Sequence, residues 1–497
     1  MPAESGSPEG GSAAGGSARA DWRVAPAWAG LAIYALVGAV RAGWFSEGDT
    51  FWQVRTGFAL RAERTVFLTD TFSWTVAGRG WHPNSWLFDV LLSWAYGRGH
   101  LVGLALVVAC CVAVVGVAAG VAGRALGTRT DTFAVCATAL VLPMTVWLSA
   151  RPQTLTYALL PIVVLLAARV MTWRGRTLGF GLAGLYLLVA LWMNLHLAAL
   201  AAIPAVAAGL GLLVLSRRRD GRHRLLRVVR AAAALAAVVL GCLSSPFGVG
   251  AVESALATRD ASDELIPEWA PLWGAGSLPL FTWIAAVLAF VLTAAAWRRR
   301  PRDPLLPVWT GAVGVLLLGG VEAARFSPMA LILALPAVAS WASDVDWRAG
   351  PARRRVAFLT GGTAAGFLVT LAVVAVVRIP YLGRPTPASY PAEATVRAIP
   401  DGCRVLNEYD DGGYLIMLRS DDGVRVAMDG RNDVYGAGQI RFVQDLIEGR
   451  AGALDELARR DVRCLLLMPR RALVEQAKAA GWRVAATDRN RVLLVRP

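Results

Sequence analysis

Apolar residues in this chain fall in blocks of about 20, the length that spans a bilayer. The blocks lie at about 24–44, 101–123, 132–149, 154–172, 178–200, 202–215, 231–250, 277–296, 305–320, 327–342 and 356–378. That pattern predicts eleven membrane-spanning helices. The block at 202–215 is the shortest and contains Pro204. Between the first two blocks lies a long segment, 45–100, in which Phe51–Arg61 and Trp86–Tyr96 have amphipathic helical spacing. Those two stretches predict helices lying on the membrane surface. After Arg378 the blocks stop. Cys403–Leu406, Val424–Met428, Cys464–Met468 and Arg491–Val495 read as short buried strands, and Phe442–Glu448, Leu454–Arg460 and Leu473–Ala480 as helices. Alternating strands and helices predict an α/β unit. Residues 1–23 are Gly, Ser and Ala for the most part, too poor in bulky apolar groups to bury a core, and read as a disordered tail. The predicted domains are therefore the tail 1–23, a membrane domain 24–378 and a C-terminal domain 379–497.

Composition agrees with that reading: 56% of the 497 residues are hydrophobic and 17% charged. A soluble domain is about 45–50% apolar and about 25% charged. The net charge of +15 needs a place. With the N-terminus in the cytoplasm, the inner loops carry nineteen Arg, while the outer segments before the last span carry eight. This is the positive-inside bias. The C-terminal domain holds 18 basic and 16 acidic residues, so the excess belongs to the inner loops. It is a topology signal and not a nucleic-acid face. An odd number of spans places the C-terminal domain outside the cytoplasmic membrane. No Walker A motif or nucleotide-binding glycine fingerprint is present, which argues against an ATP-driven pump. Cys110, Cys111, Cys136 and Cys242 lie in spans as small apolar residues. Cys403 and Cys464 each open a predicted strand and read as buried free thiols, on a side where oxidation is chemically allowed.

Polar groups near a bilayer are costly and often functional. On the predicted outer side they collect as Glu47, Asp49, His82, Asn84, Arg151, Gln153, Asn194, His196, Asp263, Glu264, Glu268, Glu322 and Arg325. A cavity opening outward near the interface is the expected site. Bland roles stand beside this one. Asp49 can be a helix cap, His82 an interfacial hydrogen bonder, Asn194 and His196 satisfied groups between helices. Arg151 and Arg325 can pair with Glu268 and Glu322 or face lipid phosphates, and the tryptophans can be interface anchors.

The strings Gly48-Asp49-Thr-Phe-Trp52 with Arg55 and Gly57, Asp70-Thr-Phe-Ser-Trp74, Trp81-His82 with Trp86-Leu87, Arg151-Pro-Gln153, Trp192-Met-Asn-Leu-His196, Pro267-Glu-Trp269 and Asp429-Gly-Arg-Asn-Asp433-Val-Tyr-Gly436 carry a resemblance across nearly the whole chain. In their order and placement they resemble the GT-C superfamily of integral-membrane glycosyltransferases. More narrowly, they resemble bacterial membrane proteins related to protein O-mannosyltransferases and aminoarabinose transferase. The resemblance implies transfer of a sugar from a polyprenyl-phosphate donor to an acceptor on the outer face. Asp49 would act as general base or help hold a divalent cation (Mg²⁺ or Mn²⁺). Better-known relatives carry an adjacent Asp-Glu pair here. This chain has Thr50 after Asp49, and Glu47 is the nearest second carboxylate. A hard cation would need more oxygen ligands than the sequence places. Arg151, Arg325 and His82 are candidates for steadying the departing phosphate on side and charge alone, with Asn194, His196 and Glu268 as further binding candidates. The implied partners are a lipid-linked sugar donor, membrane lipids and an acceptor protein, lipid or glycan; nucleic acid is not among them. The alternative readings are a transporter or flippase for a lipid-linked glycan, and a membrane-anchored assembly protein whose outer domain is the working part. No repeated halves or paired broken helices favour the transporter.

Overall fold

The computed structural model describes residues 25–217, 223–255, 268–347 and 349–497. The predicted tail, Asp263, Glu264 and Pro267 lie outside the described residues. Among the described residues, eleven apolar helices form the bundle: α1 (Ala25–Arg41), α3 (Trp86–Ala125), α4 (Thr130–Met144), α5 (Gln153–Val170), α6 (Gly175–Leu195), α7 (Ala202–Ser216), α8 (Arg224–Leu243), α9 (Ser277–Arg299), α10 (Leu306–Glu322), α11 (Phe326–Ser343) and α12 (Pro351–Arg378). Eight are long and apolar enough to cross a membrane, α7 with the 3₁₀ turn Leu197–Ala201 that leads into it; α1, α4 and α10 are shorter. Each coincides with one predicted block, because an apolar run bounded by Arg, Gly or Pro fixes a span by solvation alone.

Burial sorts these helices. α11 is buried over 83% of its apolar stretch and α12 over 6%. α11 is thus the central post, and α12 presents its Phe, Leu and Val side chains outward. Backbones approach most closely where glycine permits. A Cβ at Gly30 of α1 would lie 2.0 Å from the Gly116 carbonyl oxygen of α3, a small-residue contact that tightens helix crossings in lipid.

The two stretches predicted to be amphipathic are helical: α2 (Asp49–Glu63), with Phe51, Val54 and Leu60 buried, and the first turns of α3. α3 runs 40 residues with a break at His100, whose φ of 48° lies in the left-handed region. That break separates the surface segment from the span. Between α2 and α3, β1 (Leu68–Thr69) and β2 (Gly80–Trp81) pair antiparallel.

The C-terminal chain folds on a five-stranded mixed sheet: β3 (Arg404–Asn407), β4 (Arg425–Val426), β5 (Cys464–Leu467), β6 (Arg483–Thr487) and β7 (Val492–Val495), in the order β4-β3-β5-β7-β6. β3 is parallel to both β4 and β5, while β7 is antiparallel to β5 and β6. The helices of this part are α13 (Glu393–Arg397), α14 (Gly412–Arg419), α15 (Asn432–Ile447), α16 (Ala453–Arg459) and α17 (Ala472–Ala479). The predicted strands and helices are present. β6, α13 and α14 are additional. β6 escapes prediction because its Arg-Val-Ala-Ala-Thr stretch is mostly exposed and lacks an apolar run. Cys403 and Cys464 are joined in a disulfide, not free thiols as expected. The two strands are neighbours in the sheet, and residue 403, at the entry to β3, lies 6.3 Å from residue 464 between Cα atoms.

The sheet is tied to the bundle by the loop between β1 and β2. The backbone of Phe72–Trp74 pairs with Val426, covering the edge of β4. Trp74 Nε1–H donates to the Val405 carbonyl (2.9 Å), Thr75 Oγ1–H to that of Ala427 (2.6 Å), and Arg79 Nη1–H to that of Val434 (2.6 Å). Beneath them Arg431, fully buried, binds Asp70 Oδ1 (2.7 Å) and both oxygens of Asp429 (2.8 and 2.7 Å). Its guanidinium sits among the Phe72, Trp81 and Tyr435 rings. Two of the ordered strings, Asp70–Trp74 and Asp429–Gly436, are thus two halves of one clamp.

Candidate active site

A cavity of about 720 Å³ lies where the bundle meets the sheet. Its walls come from the start of α2, the turn before α5, the α6–α7 junction, the α10–α11 junction and the Gly430–Asp433 loop. Asp49, Gln153, His196, Glu322 and Arg325 sit at or beside helix ends, and Glu268, Tyr409 and Asp410 come from turns.

Asp49 is the first residue of α2; Gly48 is the cap, and no side-chain cap bond forms. The carboxylate instead takes the Trp52 Nε1–H on Oδ1 (3.2 Å) and pairs through Oδ2 with Arg151 Nε (3.1 Å). The Gly430 backbone closes over it, since a Cβ there would lie 2.0 Å from Asp49 Oδ1. Burial raises the Asp49 carboxyl above the usual carboxylate range, and Arg151 and Trp52 pull it back down.

Arg151 bridges to a second carboxylate. Its Nη1–H reaches Glu268 Oε1 at 3.2 Å and Oε2 at 3.3 Å. The flanking carboxylates hold its guanidinium above its usual range despite burial. Arg325 differs. It stacks on Trp269 at 3.9 Å and contacts Gln153 Oε1 at 3.4 Å, and no described carboxylate stands within ion-pair distance of it. Burial lowers its guanidinium, so an incoming anion would be a welcome partner. His196 lines the same cavity with Nδ1 2.9 Å from Thr156 Oγ1. Burial first, then Arg325 and Arg151, push it down to about 3, so it is neutral at physiological pH.

Five of the eight site candidates therefore converge, Asp49, Arg151, His196, Glu268 and Arg325, and Asn84, Gln153 and Glu322 of the outer polar group line the same cavity. Three do not line this cavity. Glu47 pairs with Arg41 at 2.6 Å and faces a second cavity of about 450 Å³, which shares Arg151, Glu268 and Asp410 with the first. His82 packs on Phe247, ring centroids 4.6 Å apart. Asn194 spends its amide on structure: Oδ1 accepts Trp86 Nε1–H (2.8 Å), and Nδ2 donates to the carbonyls of Ala190 and Ser244.

Other wall residues were not singled out from the sequence. Tyr409 donates to Asn432 Oδ1 (2.7 Å). Asp433 Oδ2 accepts from Trp81 Nε1 (3.2 Å) and Asn84 Nδ2 (3.1 Å). Asp410 lines both cavities, and burial raises its carboxyl. The Asp429–Asp433 string held a signal. Tyr409 and Asp410 held none, since an Asn-Glu-Tyr-Asp-Asp run reads as solvated surface. A divalent cation fits poorly here. Among the described residues no group of three or more His, Cys, Asp or Glu could hold a metal ion, and the two nearest carboxylates already share a guanidinium.

No family model matches the chain, and no curated protein matches it. Among solved structures, the chain is similar to the oligosaccharyltransferase of Archaeoglobus fulgidus in its apo form. The TM-score is 0.57 at 12% identity, over 90% of this chain and 70% of that one. At this identity the likeness establishes the architecture alone: the chain shares the overall fold of that protein.

Proposed function

We propose that this protein is a membrane glycosyltransferase that moves a sugar from a lipid-linked donor to an acceptor hydroxyl. The observation that carries the reading is the convergence of Asp49, Arg151, Glu268, His196 and Arg325, which pairs with no described carboxylate, on one cavity at the ends of membrane helices. The likeness to an oligosaccharyltransferase supports group transfer over transport.

The steps follow from the groups present. The lipid tail lies against the apolar wall formed by Leu197, Leu200, Phe326 and Met329. The acceptor oxygen attacks the sugar's anomeric carbon and gives its proton to Asp49, whose raised carboxyl is closer to a working base than an ordinary aspartate. As the new carbon–oxygen bond forms, the bond to the donor phosphate breaks. The electron pair leaves with the phosphate, and Arg325 meets that charge. Neutral His196 is available as a hydrogen-bonding group for sugar hydroxyls. The carrier is proposed to be a polyprenyl phosphate and the side to be the outer face of the cytoplasmic membrane. The Arg bias of the opposite loops and the Cys403–Cys464 disulfide both support that side.

The test is transfer by purified full-length protein with a polyprenyl-phosphate sugar. Asp49→Asn and Asp49→Ala are expected to abolish transfer at unchanged expression and melting temperature. Full transfer in both variants would remove Asp49 from the chemistry.

A further inference from the structure

We infer that the Arg151 guanidinium is the resident cation of this site, in the position where two facing carboxylates would otherwise recruit a divalent metal. The inference rests on the transfer site proposed above and concerns how that site balances its charge.

Two carboxylates from distant parts of the chain, Asp49 and Glu268, line one cavity and meet the same guanidinium. Such a pair needs a positive partner. Arg151 supplies it, with Nε 3.1 Å from Asp49 and Nη1 3.2 Å from Glu268. Arg151 engages both carboxylates at once. Its backbone is fixed from both sides: Thr50 Oγ1–H donates to the Ala150 carbonyl (3.2 Å), and Thr154 binds the Ser149 carbonyl (2.8 Å) and the Arg151 carbonyl (3.1 Å). The remaining Asp49 oxygen is occupied by Trp52 and roofed by Gly430. Mg²⁺ requires near-octahedral oxygen ligation at about 2.0–2.1 Å, and here an ion between the carboxylates would stand against a fixed positive charge. Arg151 is therefore a positioning residue. It orients the Asp49 carboxylate and lowers its proton affinity, as a metal would, without leaving with product.

The experiment is Mn²⁺ binding followed by electron paramagnetic resonance on full-length protein in lipid nanodiscs. It compares wild type, Asp49→Asn, Arg151→Lys, Arg151→Gln and the Arg151→Gln/Asp49→Asn pair. Wild type and Arg151→Lys are expected to show no Mn²⁺ signal that Asp49→Asn removes. Arg151→Gln is expected to gain one bound Mn²⁺ per chain, lost again in the double variant. Two results overturn the inference: an Asp49-dependent Mn²⁺ in wild type, or no gained Mn²⁺ in folded Arg151→Gln. Should Arg151→Gln fail to fold, wild type against Asp49→Asn still decides. Binding is read without any turnover, so the failure of this inference and the failure of the transferase reading remain separate results.

Discussion

The Asp49 carboxylate is held at both oxygens, by Trp52 on one and Arg151 on the other, so its protonation state is tuned by identifiable neighbours. Transfer needs the deprotonated form, so activity rises as pH climbs through the Asp49 pKa. Burial sets that pKa above the usual value of about 4, and the acid limb of the pH–rate profile is expected above that point. Because Arg151 lowers it, Arg151→Met should move the limb to still higher pH. A limb indifferent to Arg151 would separate this pair from catalysis. Gly430 gives a second test. Its added Cβ would strike Asp49 Oδ1 and crowd Trp52 Nε1, so Gly430→Ala should lose turnover by about 10²-fold or more, the scale of a misplaced general base. Circular dichroism of the variant should match wild type. Asp49 was legible in the sequence as an acidic residue just past the first span. That Gly430 and Asp410 are its neighbours was not, because 381 and 361 residues separate them from it and only the folded clamp brings them together.

At the scale of elements, the clamp between the β1–β2 loop and the sheet governs the shape of the cavity roof. Arg431 has two fully buried carboxylate partners, Asp70 and Asp429. Removing only the cation leaves both charges without compensation, a loss of about 3–5 kcal/mol. Arg431→Met should therefore lower the melting temperature and expose the 65–85 loop to protease. Adding Asp70→Asn and Asp429→Asn should recover part of that loss, and a triple variant no better than the single would mean that the charges are not the point. The disulfide acts on the same unit. It closes a loop of 61 residues, and chain entropy alone assigns it about 4 kcal/mol. Cys403→Ser with Cys464→Ser should lower the melting temperature of the sheet before that of the bundle, followed by protease release of the C-terminal part. Sequence pattern located both strands bearing these cysteines. It could not see their pairing, because strand order depends on which crossovers the helices make, and local periodicity carries no information about that.

At the scale of the whole molecule, the eleven apolar helices put all the cavity residues at the bundle end that carries the sheet. The Arg-rich turns lie at the other end, where Arg217 reaches the Arg302 carbonyl, Arg300 that of Leu126, and Arg230 that of Met171. The spans were readable from the sequence because a bilayer imposes length and apolarity on each one separately. The shared cavity was not, since it exists only once the helix ends meet. Charge decides the orientation: basic turns are retained on the cytoplasmic side. The Arg-rich end should therefore face the cytoplasm and the cavity should face outward. Two labelling sites test this on a background lacking native cysteines. One is Arg353→Cys in the first turn of α12, the other Arg470→Cys in the exposed turn after β5. A membrane-impermeant maleimide added to intact cells should label only the second. After permeabilisation both should react. Labelling of the Arg353 site in intact cells would invert the topology, and with it the proposal that the donor is a lipid-linked sugar presented at the outer face.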